Sequence, residues 1–211
     1  PKITLEAREK LDRLYGLDKP IHVQYWRWIN KLARFDLGSS FTDDRPVSQK
    51  IFERIPVTIT INILSLALIF LIAVPIGIAS AVRENSLFDK FSTIFVFLGF
   101  AMPTFWLALL AMSLFGVYLG WLPILGIKSL DFEQYSFLGK LLDLTRHLIL
   151  PVSISAFGGL AGISRYMRTS MLEVLHKDFI RTARAKGLSE RSVVYKHAFR
   201  NALLPIVTII G

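Results

Sequence analysis

The sequence contains no cysteine, and this absence excludes several kinds of chemistry. The chain forms no disulfide, no cysteine zinc site and no thiol nucleophile. Its four histidines include no two at the i,i+3 or i,i+4 spacing that a helical metal site uses. The sequence also lacks the GxSxG, Walker A and GxGxxG patterns, so it predicts neither a nucleophilic serine at a strand–helix turn nor a phosphate-binding loop.

Charged residues are scarce and unevenly placed. They make up 19% of the 211 residues, whereas 53% are hydrophobic. No Asp, Glu, Lys or Arg occurs in the stretches 55–82, 91–127 and 147–164, which are 28, 37 and 18 residues long. Uncharged apolar stretches of about 18 residues or more are candidate membrane spans. The distribution excludes a soluble enzyme, a disordered chain and a disulfide-bonded miniprotein as descriptions of the whole chain.

The uncharged stretches instead predict an all-α, polytopic membrane protein. We expect spans at about 55–82, 92–119 and 148–166, and the start of another at 201. Apart from Arg165 at the end of the third span, no charged side chain lies inside the three complete spans, whereas proton-coupled pumps and charge-selective channels usually place ionisable groups at membrane depth. A helical segment from residue 201 to the last residue rises only about 16 Å, against a bilayer core of about 30 Å. We therefore expect the chain to be an internal part of a longer protein.

Four residues within the spans are candidates for helix packing or for a pore. Pro103 lies in the middle of the second span, where it predicts either a simple kink or backbone exposed to a cavity. Gly158 and Gly162 have the small-xxx-small spacing of closely packed membrane helices. Asn62 is the most conspicuous polar residue of the first span. An interhelical hydrogen bond is its preferred role, and a pore-lining role is the alternative.

The basic residues indicate how the chain is oriented. The net charge is +9, and residues 165–200 alone contain nine Lys or Arg against three Asp or Glu. Basic segments next to membrane spans are typically cytoplasmic, so this pattern favours a membrane protein and argues against nucleic acid as a partner. The turn 83–90 is then cytoplasmic as well, whereas 126–146 lies outside. The chain divides into an extracytoplasmic segment, 1–54, with short helices at 4–11, 21–35 and 46–54, and a transmembrane domain, 55–211.

The basic segment 171–200 predicts two helices separated by a glycine. We expect a basic amphipathic helix over 171–186, with one face formed by Leu172, Leu175, Phe179 and Ala183. Gly187 is a natural helix C-cap, and a second helix begins after Ser189 and runs to about 201. An apolar face beside basic residues in a short loop predicts a docking partner. A solvated loop and a helix on the membrane surface are the alternatives.

The residues of this segment resemble a known family. Residues 178–189 and 197–205 resemble the cytoplasmic EAA-type loop of ABC importer permeases, and more closely that of the dipeptide, oligopeptide and nickel branch. Arg181, Thr182 and Ala183 stand where the family pattern reads Glu-Ala-Ala, and the distance from Gly187 to Pro205 is longer than in the general importer pattern. The resemblance covers nearly the whole chain, because four shorter stretches agree with it: 15–25, 36–40, 75–77 and 119–123.

The resemblance implies the ABC type I importer transmembrane fold, of which this chain would hold the second to fourth of six spans and the start of the fifth. It implies a permease subunit that forms the translocation path for di- or oligopeptides across a bacterial or archaeal plasma membrane. The implied partners are a second homologous permease subunit, two cytoplasmic ATPase subunits, an extracytoplasmic substrate-binding protein and the lipid bilayer. The chain would then be no enzyme and would need no cofactor, since the ATPase subunits bind ATP and Mg.

The resemblance also implies which residues couple the chain to an ATPase subunit. Gly187 would end the coupling helix sharply, and Ala183 would allow close approach of the ATPase. Three alternatives stay open: an importer of nickel or another small solute, a transporter that works without an ATPase, and a membrane anchor that transports nothing. The full implied coupling set is Asp178, Arg181, Thr182, Ala183, Lys186, Gly187 and Leu188.

Overall fold

The structure of the chain, a computed structural model, describes residues 16, 19–40 and 42–210, apart from the side chains of Phe100, Ile209 and Ile210. Over this part of the chain the regular structure is helical, and the β pairing is confined to one isolated antiparallel bridge between Ser39 and Pro46. The predicted all-α class is confirmed. The chain forms two compact units, Pro1–Thr58 and Ile59–Gly211.

The first unit contains helix α1 (Ile21–Ala33), which begins directly after Pro20. Proline suits this position because its ring fixes φ near the helical value and it needs no hydrogen-bond acceptor for an N–H group. No residue of α1 is buried within this chain. The structure confirms the helix predicted at 21–35, whereas the one predicted at 4–11 lies outside the described residues. The segment 46–54 forms the first turns of the next helix instead of a separate one.

Within the described part of the chain, two helices are long and apolar enough to cross a membrane. They are α2 (Val47–Val82), with 36 residues, and Phe137–Leu175, with 39 residues, which is α5 in chain order. A helix of 36 residues is about 54 Å long, well beyond a hydrocarbon core of about 30 Å. The spans predicted at 55–82 and 148–166 therefore lie inside longer helices. Hydropathy marks which residues sit in the membrane, but it does not mark where the helix ends.

The second predicted span is not a single helix. The structure has α3 (Leu87–Ala101), then α4 (Thr104–Ala111) continuing into the π-helical segment π1 (Met112–Tyr118). The two halves meet at an angle of 100°. Pro103 causes the break because it forces Met102 into an extended conformation, with ψ of 126°. The break lies at the residue where the sequence predicted either a kink or exposed backbone, and the described residues provide two spans, or three if this bent pair forms one.

The main core of the second unit joins α2, α5 and the segments after α5. Gly77 of α2 lies at a close helix crossing: a Cβ atom there would sit 2.5 Å from Met167 Cβ and 2.7 Å from the Ser164 carbonyl oxygen. Only a residue without a side chain permits this approach of the two backbones. Eleven buried residues form this core: Ile78, Ala81, Met167, Met171, Ile180, Ala183, Val193, Val194, Ala198, Ala202 and Ile206.

The structure does not show the predicted packing role at Gly158, and for Gly162 that role stays a prediction. A Cβ added at Gly158 would meet no described atom within 4 Å, whereas one at the neighbouring Gly159 would lie 2.4 Å from Ile69 Cδ1. Gly162 is only partly buried. Close helix approaches therefore occur at Gly77 and at Gly159, which lies beside the predicted pair. The spacing shows that small residues share one face of the helix. It does not show whether that face packs against a neighbouring helix.

The hydrogen bond between α2 and α5 that the structure shows is made by Ser65, whereas the sequence favoured Asn62 for such a bond. In the part of the chain that is described, the Asn62 side chain is exposed and makes no hydrogen bond. Ser65, three residues later, is buried, and its hydroxyl donates to the carbonyl oxygen of Val152 in α5 at 3.2 Å. Ser65 therefore makes the interhelical bond, and the pore-lining role of Asn62 stays a prediction.

The basic segment folds into short helices after α5. They are α6 (Asp178–Ala185), α7 (Glu190–Ser192), the π-helical segment π2 (Val193–Ala198), α8 (Phe199–Ala202) and α9 (Leu204–Ile210). The single amphipathic helix predicted over 171–186 is wrong, because Lys177 is extended, with ψ of 151°. The second predicted helix agrees with the run from α7 to α8, although Ser189 makes no side-chain capping bond.

Candidate partner-docking site

Helix α6 is held against the chain's own core by two residues. Ile180 is fully buried and Ala183 is 7% exposed, and both belong to the core that contains Met167 and Met171 of α5. They are three positions apart and so lie on one side of the helix. The other six residues of α6 are exposed. The helix is therefore fixed on one side and presents its other side outward.

Gly187 ends α6 in a Schellman motif. Its φ is +75°, which is strained for any residue with a Cβ atom. The Gly187 N–H donates to the Arg184 carbonyl at 2.9 Å, and the Leu188 N–H donates to the Ala183 carbonyl at 3.3 Å. These two bonds satisfy carbonyls that the end of a helix otherwise leaves free. The prediction that Gly187 caps and ends this helix is confirmed.

An ion pair fastens the end of α6 to the start of α7. Arg184 donates from Nη2 to Glu190 Oε1 at 2.6 Å and from Nε to Oε2 at 3.2 Å. The hydrogen bond from Arg184 holds the pKa of Glu190 below its usual value of 4.5, and the same bond raises the pKa of Arg184. Both side chains are about half exposed, so the pair contributes less than about 1 kcal/mol. Its two-point geometry nevertheless fixes the direction in which the chain leaves α6.

Six of the seven coupling residues implied by the resemblance are exposed, and Ala183 is not. Ala183 packs into the chain's own core, so its small size allows α6 to approach α5 and π2, and it forms no part of the outer surface. Asp178 and Arg181 lie 3.4 Å apart, but the pair is too exposed to hold the helix. The exposed six are Asp178, Arg181, Thr182, Lys186, Gly187 and Leu188.

The outer surface of α6 has an apolar part that the sequence did not separate from the inner one. Phe179 is 46% exposed and Leu188 is 42% exposed, and the cationic residues Arg181 and Lys186 are exposed as well. The sequence grouped Phe179 with Ala183 on one face because the apolar spacing continues smoothly from α5. The break at Lys177 rotates the helix so that Ile180 takes the inner position. We give the name outer surface of α6 to Phe179 and Arg181 of the helix together with Lys186 and Leu188, which directly follow it.

A second ion pair ties the first turn of α3 to α5. Arg168 donates from Nε to Asp89 Oδ1 at 2.6 Å and from Nη2 to Oδ2 at 2.7 Å, and the Asp89 side chain is only 5% exposed. Asp89 Oδ2 also accepts from the Asn85 N–H at 3.0 Å, and Ser86 caps α3. Arg168 adjoins the core residue Met167, so this pair holds the turn 83–86 next to the core that anchors α6. The two residues are 79 positions apart, and no sequence pattern indicated their contact.

The arrangement is suited to binding another macromolecule. Among residues 16, 19–40 and 42–210, no group of three or more His, Asp or Glu side chains is placed to hold a metal ion. The outer surface of α6 combines exposed apolar side chains with cations on a helix whose position is fixed from behind. Such a surface matches a groove with apolar walls and acidic groups at its edge.

Comparison with known proteins agrees with the structure. The family described as binding-protein-dependent transport system inner membrane component matches residues 73–211, which include α3 to α9. The chain is 42% identical over 212 residues to the oligopeptide transport system permease protein AppB of Bacillus subtilis (strain 168), covering 100% of this chain and 66% of that protein. It is 36% identical over 204 residues to the inner membrane ABC transporter permease protein YejB of Escherichia coli O157:H7, covering 96% of this chain and 56% of that protein.

The chain thus spans between about half and two thirds of the length of these relatives, at 66% and 56%. The family match covers well over half of the chain, and it includes the Gly187 cap, the α6 anchor and the two long apolar helices in part or in full. The chain belongs to the family of binding-protein-dependent transport system inner membrane components.

Proposed function

We propose that this chain is part of a permease subunit of an ATP-driven ABC importer, and that it forms part of the translocation path for di- or oligopeptides. One observation carries the proposal: α6 is anchored from behind by Ile180 and Ala183 while its outer surface stays exposed. The two relatives described above are an oligopeptide permease and an ABC transporter permease by name. Those names favour peptides over nickel and favour ATP-driven transport over a membrane anchor.

In this proposal, α6 docks into a groove on a cytoplasmic ATPase subunit. Phe179 and Leu188 enter the apolar part of the groove, and Arg181 and Lys186 meet acidic groups at its edge. ATP-driven closure of two ATPase subunits pushes the α6 helices of two permease subunits toward each other. Because Ile180 shares one core with Met167 of α5 and Ile78 of α2, the push moves both long helices as a packed unit.

In such an importer the chain works with several partner proteins in a particular membrane. A second homologous permease subunit completes the path, and a substrate-binding protein docks on the extracytoplasmic side, where 1–54 and 126–146 lie. The ATPase subunits bind ATP and Mg, so this chain makes and breaks no bonds and needs no cofactor of its own. The complex would cross the plasma membrane of a bacterium or archaeon several times.

The docking step is tested by capture of the ATPase subunits on the full-length permease in mild detergent. The test variant is Phe179→Ala with Leu188→Ala, which shortens two exposed side chains and leaves the core intact. The matched control is Tyr166→Ala, since Tyr166 is a 57% exposed aromatic residue on α5 outside the outer surface of α6. We expect capture to fall about tenfold or more in the test variant and to stay unchanged in the control.

Two results would contradict the proposal. The first is equal capture by the wild-type protein, the double variant and the control, with unchanged size-exclusion profiles. The second is no capture by the wild-type protein when all subunits are well expressed, which would favour a transporter without an ATPase. Ala183→Asp is unsuitable as a test variant, because a charge at a position that is 7% exposed would unfold the core.

A further inference from the structure

A polar cavity lies between α2, α3 and α5, at the end of these helices that carries the Asp89–Arg168 pair. Its volume is about 240 Å³. Most cavities between apolar helices are lined by apolar side chains, but this one is lined by two guanidinium groups and several hydroxyl groups. The polar lining includes Ser80, Ser92, Thr93, Ser164, Arg165 and Arg168.

Ser80 provides an independent sign that the cavity holds a ligand. It is 1% exposed, and its Oγ makes no hydrogen bond with any described atom. A buried hydroxyl without a partner is costly, so native proteins nearly always provide one. A single water occupies about 30 Å³ in the liquid, and the cavity is about eight times larger. The cavity is large enough for a polar headgroup, and rotation of the Ser80 side chain about χ1 would bring its buried hydroxyl to such a ligand.

The charges around the cavity favour a ligand with one negative charge. Arg168 is neutralised by Asp89, although its Nη1 hydrogens remain available because the pair uses Nε and Nη2. Arg165 is exposed and forms no ion pair within the described part of the chain. The lining therefore has a net charge of about +1. Arginine is well suited to phosphate because its planar group donates several hydrogen bonds in one direction.

The hydroxyl groups add a second requirement. Ser92 donates to the Phe88 carbonyl at 2.8 Å, and Thr93 donates to the Asp89 carbonyl at 2.9 Å. Ser164 donates to the Ala161 carbonyl at 3.2 Å. Because their hydrogens are already used, these three oxygens can only accept further bonds. These oxygens can accept hydrogen bonds from an anion that also carries donors, as the hydroxyl groups of a glycerol headgroup do.

The mouth of the cavity decides between a lipid and a free phosphate. Phe97 lines the cavity and is 59% exposed, and Phe91 and Ile94 on the same helix are 69% and 55% exposed. Exposed apolar side chains on α3, a helix that lines the cavity, can contact acyl chains, which a free phosphate lacks. We infer that this cavity binds the headgroup of an anionic phospholipid of the phosphatidylglycerol type, in the leaflet on the side of the 83–86 turn. Basic pockets between membrane helices are known sites for such headgroups.

Lipid binding to the full-length permease, with its partner subunits, is measured by native mass spectrometry in mild detergent. Phosphatidylglycerol is compared with zwitterionic phosphatidylcholine. The test variant is Arg165→Gln, and the control is Arg200→Gln, which removes another exposed arginine at a distance from the cavity. We expect the wild-type protein and the control to prefer phosphatidylglycerol, and Arg165→Gln to weaken that binding about tenfold, as loss of a charged hydrogen bond does.

A second variant and a second ligand make the test decisive. Ser80→Ala removes only the unpaired hydroxyl, and a several-fold loss of phosphatidylglycerol binding supports the inference. Equal binding of the two lipids would overturn the inference, and so would equal losses of binding in Arg165→Gln and Arg200→Gln. A structure of the full-length protein in which another span fills the cavity would also overturn it. Inorganic phosphate that displaces the lipid at equal affinity would mark a free-anion site and also overturn it. ATPase capture on the same samples reports the proposed function separately.

Discussion

Alanine substitutions at three glycines test how the structure uses each of them. Gly77, Gly158 and Gly187 all lack a side chain, but each occupies a different environment. At Gly77 a Cβ atom would lie 2.5 Å from Met167 Cβ and 2.7 Å from a backbone oxygen, and neither of these can swing away. At Gly158 and Gly187 a Cβ atom would meet no described atom within 4 Å, but Gly187 has a φ of +75°.

The three sites predict different changes in the free energy of unfolding. Gly77→Ala should destabilise the protein by about 1–3 kcal/mol, because the two long helices must move apart. Gly187→Ala should cost about 1–2 kcal/mol from backbone strain alone. Gly158→Ala should be neutral or stabilise the protein by up to about 1 kcal/mol, since alanine favours a helix over glycine. Gly158→Ala therefore serves as the control for the other two.

Thermal unfolding of the full-length permease in mild detergent measures all three variants. We expect the melting temperature of Gly77→Ala to fall most, that of Gly187→Ala to fall less, and that of Gly158→Ala to stay level or rise. Hydrogen exchange over 178–188 should quicken only in Gly187→Ala, because its strain is local to the Schellman motif. Equal melting temperatures for Gly77→Ala and Gly158→Ala would refute the crossing of α2 and α5 at Gly77.

Three further predictions concern α6 and the buried ion pair. Ile180→Ala should release α6 from the core at a cost of about 2–5 kcal/mol; hydrogen exchange across 178–185 should quicken, whereas Phe179→Ala should leave it unchanged. The Arg184–Glu190 pair stabilises the folded state at pH values above the usual Glu190 pKa of 4.5, and this stabilisation is lost as the pH falls through the lowered pKa. Hydrogen exchange in α6 should therefore quicken at that low pH. Glu190→Gln should remove this pH dependence. Asp89→Asn should destabilise the protein by about 3 kcal/mol, since it leaves Arg168 without its partner; adding Arg168→Gln should recover part of the loss in a double-mutant cycle.

The sequence predicted the helical class and the composition of the spans well, because both depend on long uncharged stretches. The Gly187 cap was predictable for a similar reason: a glycine after a run of helix formers, preceded by Arg184 and Lys186, is a local signal. The helix at 21–35 also had a local signal in Pro20. In each case the information lies within a few residues of the feature.

The features that the sequence missed depend on contacts between distant residues or on small rotations. Asp89 and Arg168 are far apart in the chain, and nothing in their neighbourhoods links them. The break at Lys177 leaves the apolar spacing unchanged on both sides, so Phe179 was grouped with Ala183 although it faces outward. Ser65, and not Asn62, makes the bond to Val152, because which face of α2 meets α5 is set by the crossing at Gly77.

Measuring peptide uptake is the direct test of the proposal that this chain is part of an ATP-driven peptide importer. The full-length permease is reconstituted into vesicles with its second permease subunit, its ATPase subunits and its substrate-binding protein, and uptake of a labelled oligopeptide is followed. We expect uptake to require ATP. We expect the double variant Phe179→Ala with Leu188→Ala to lose uptake and Tyr166→Ala to retain it. Uptake that is equal with and without ATP, or equal in the double variant and the wild-type protein, would contradict the proposal.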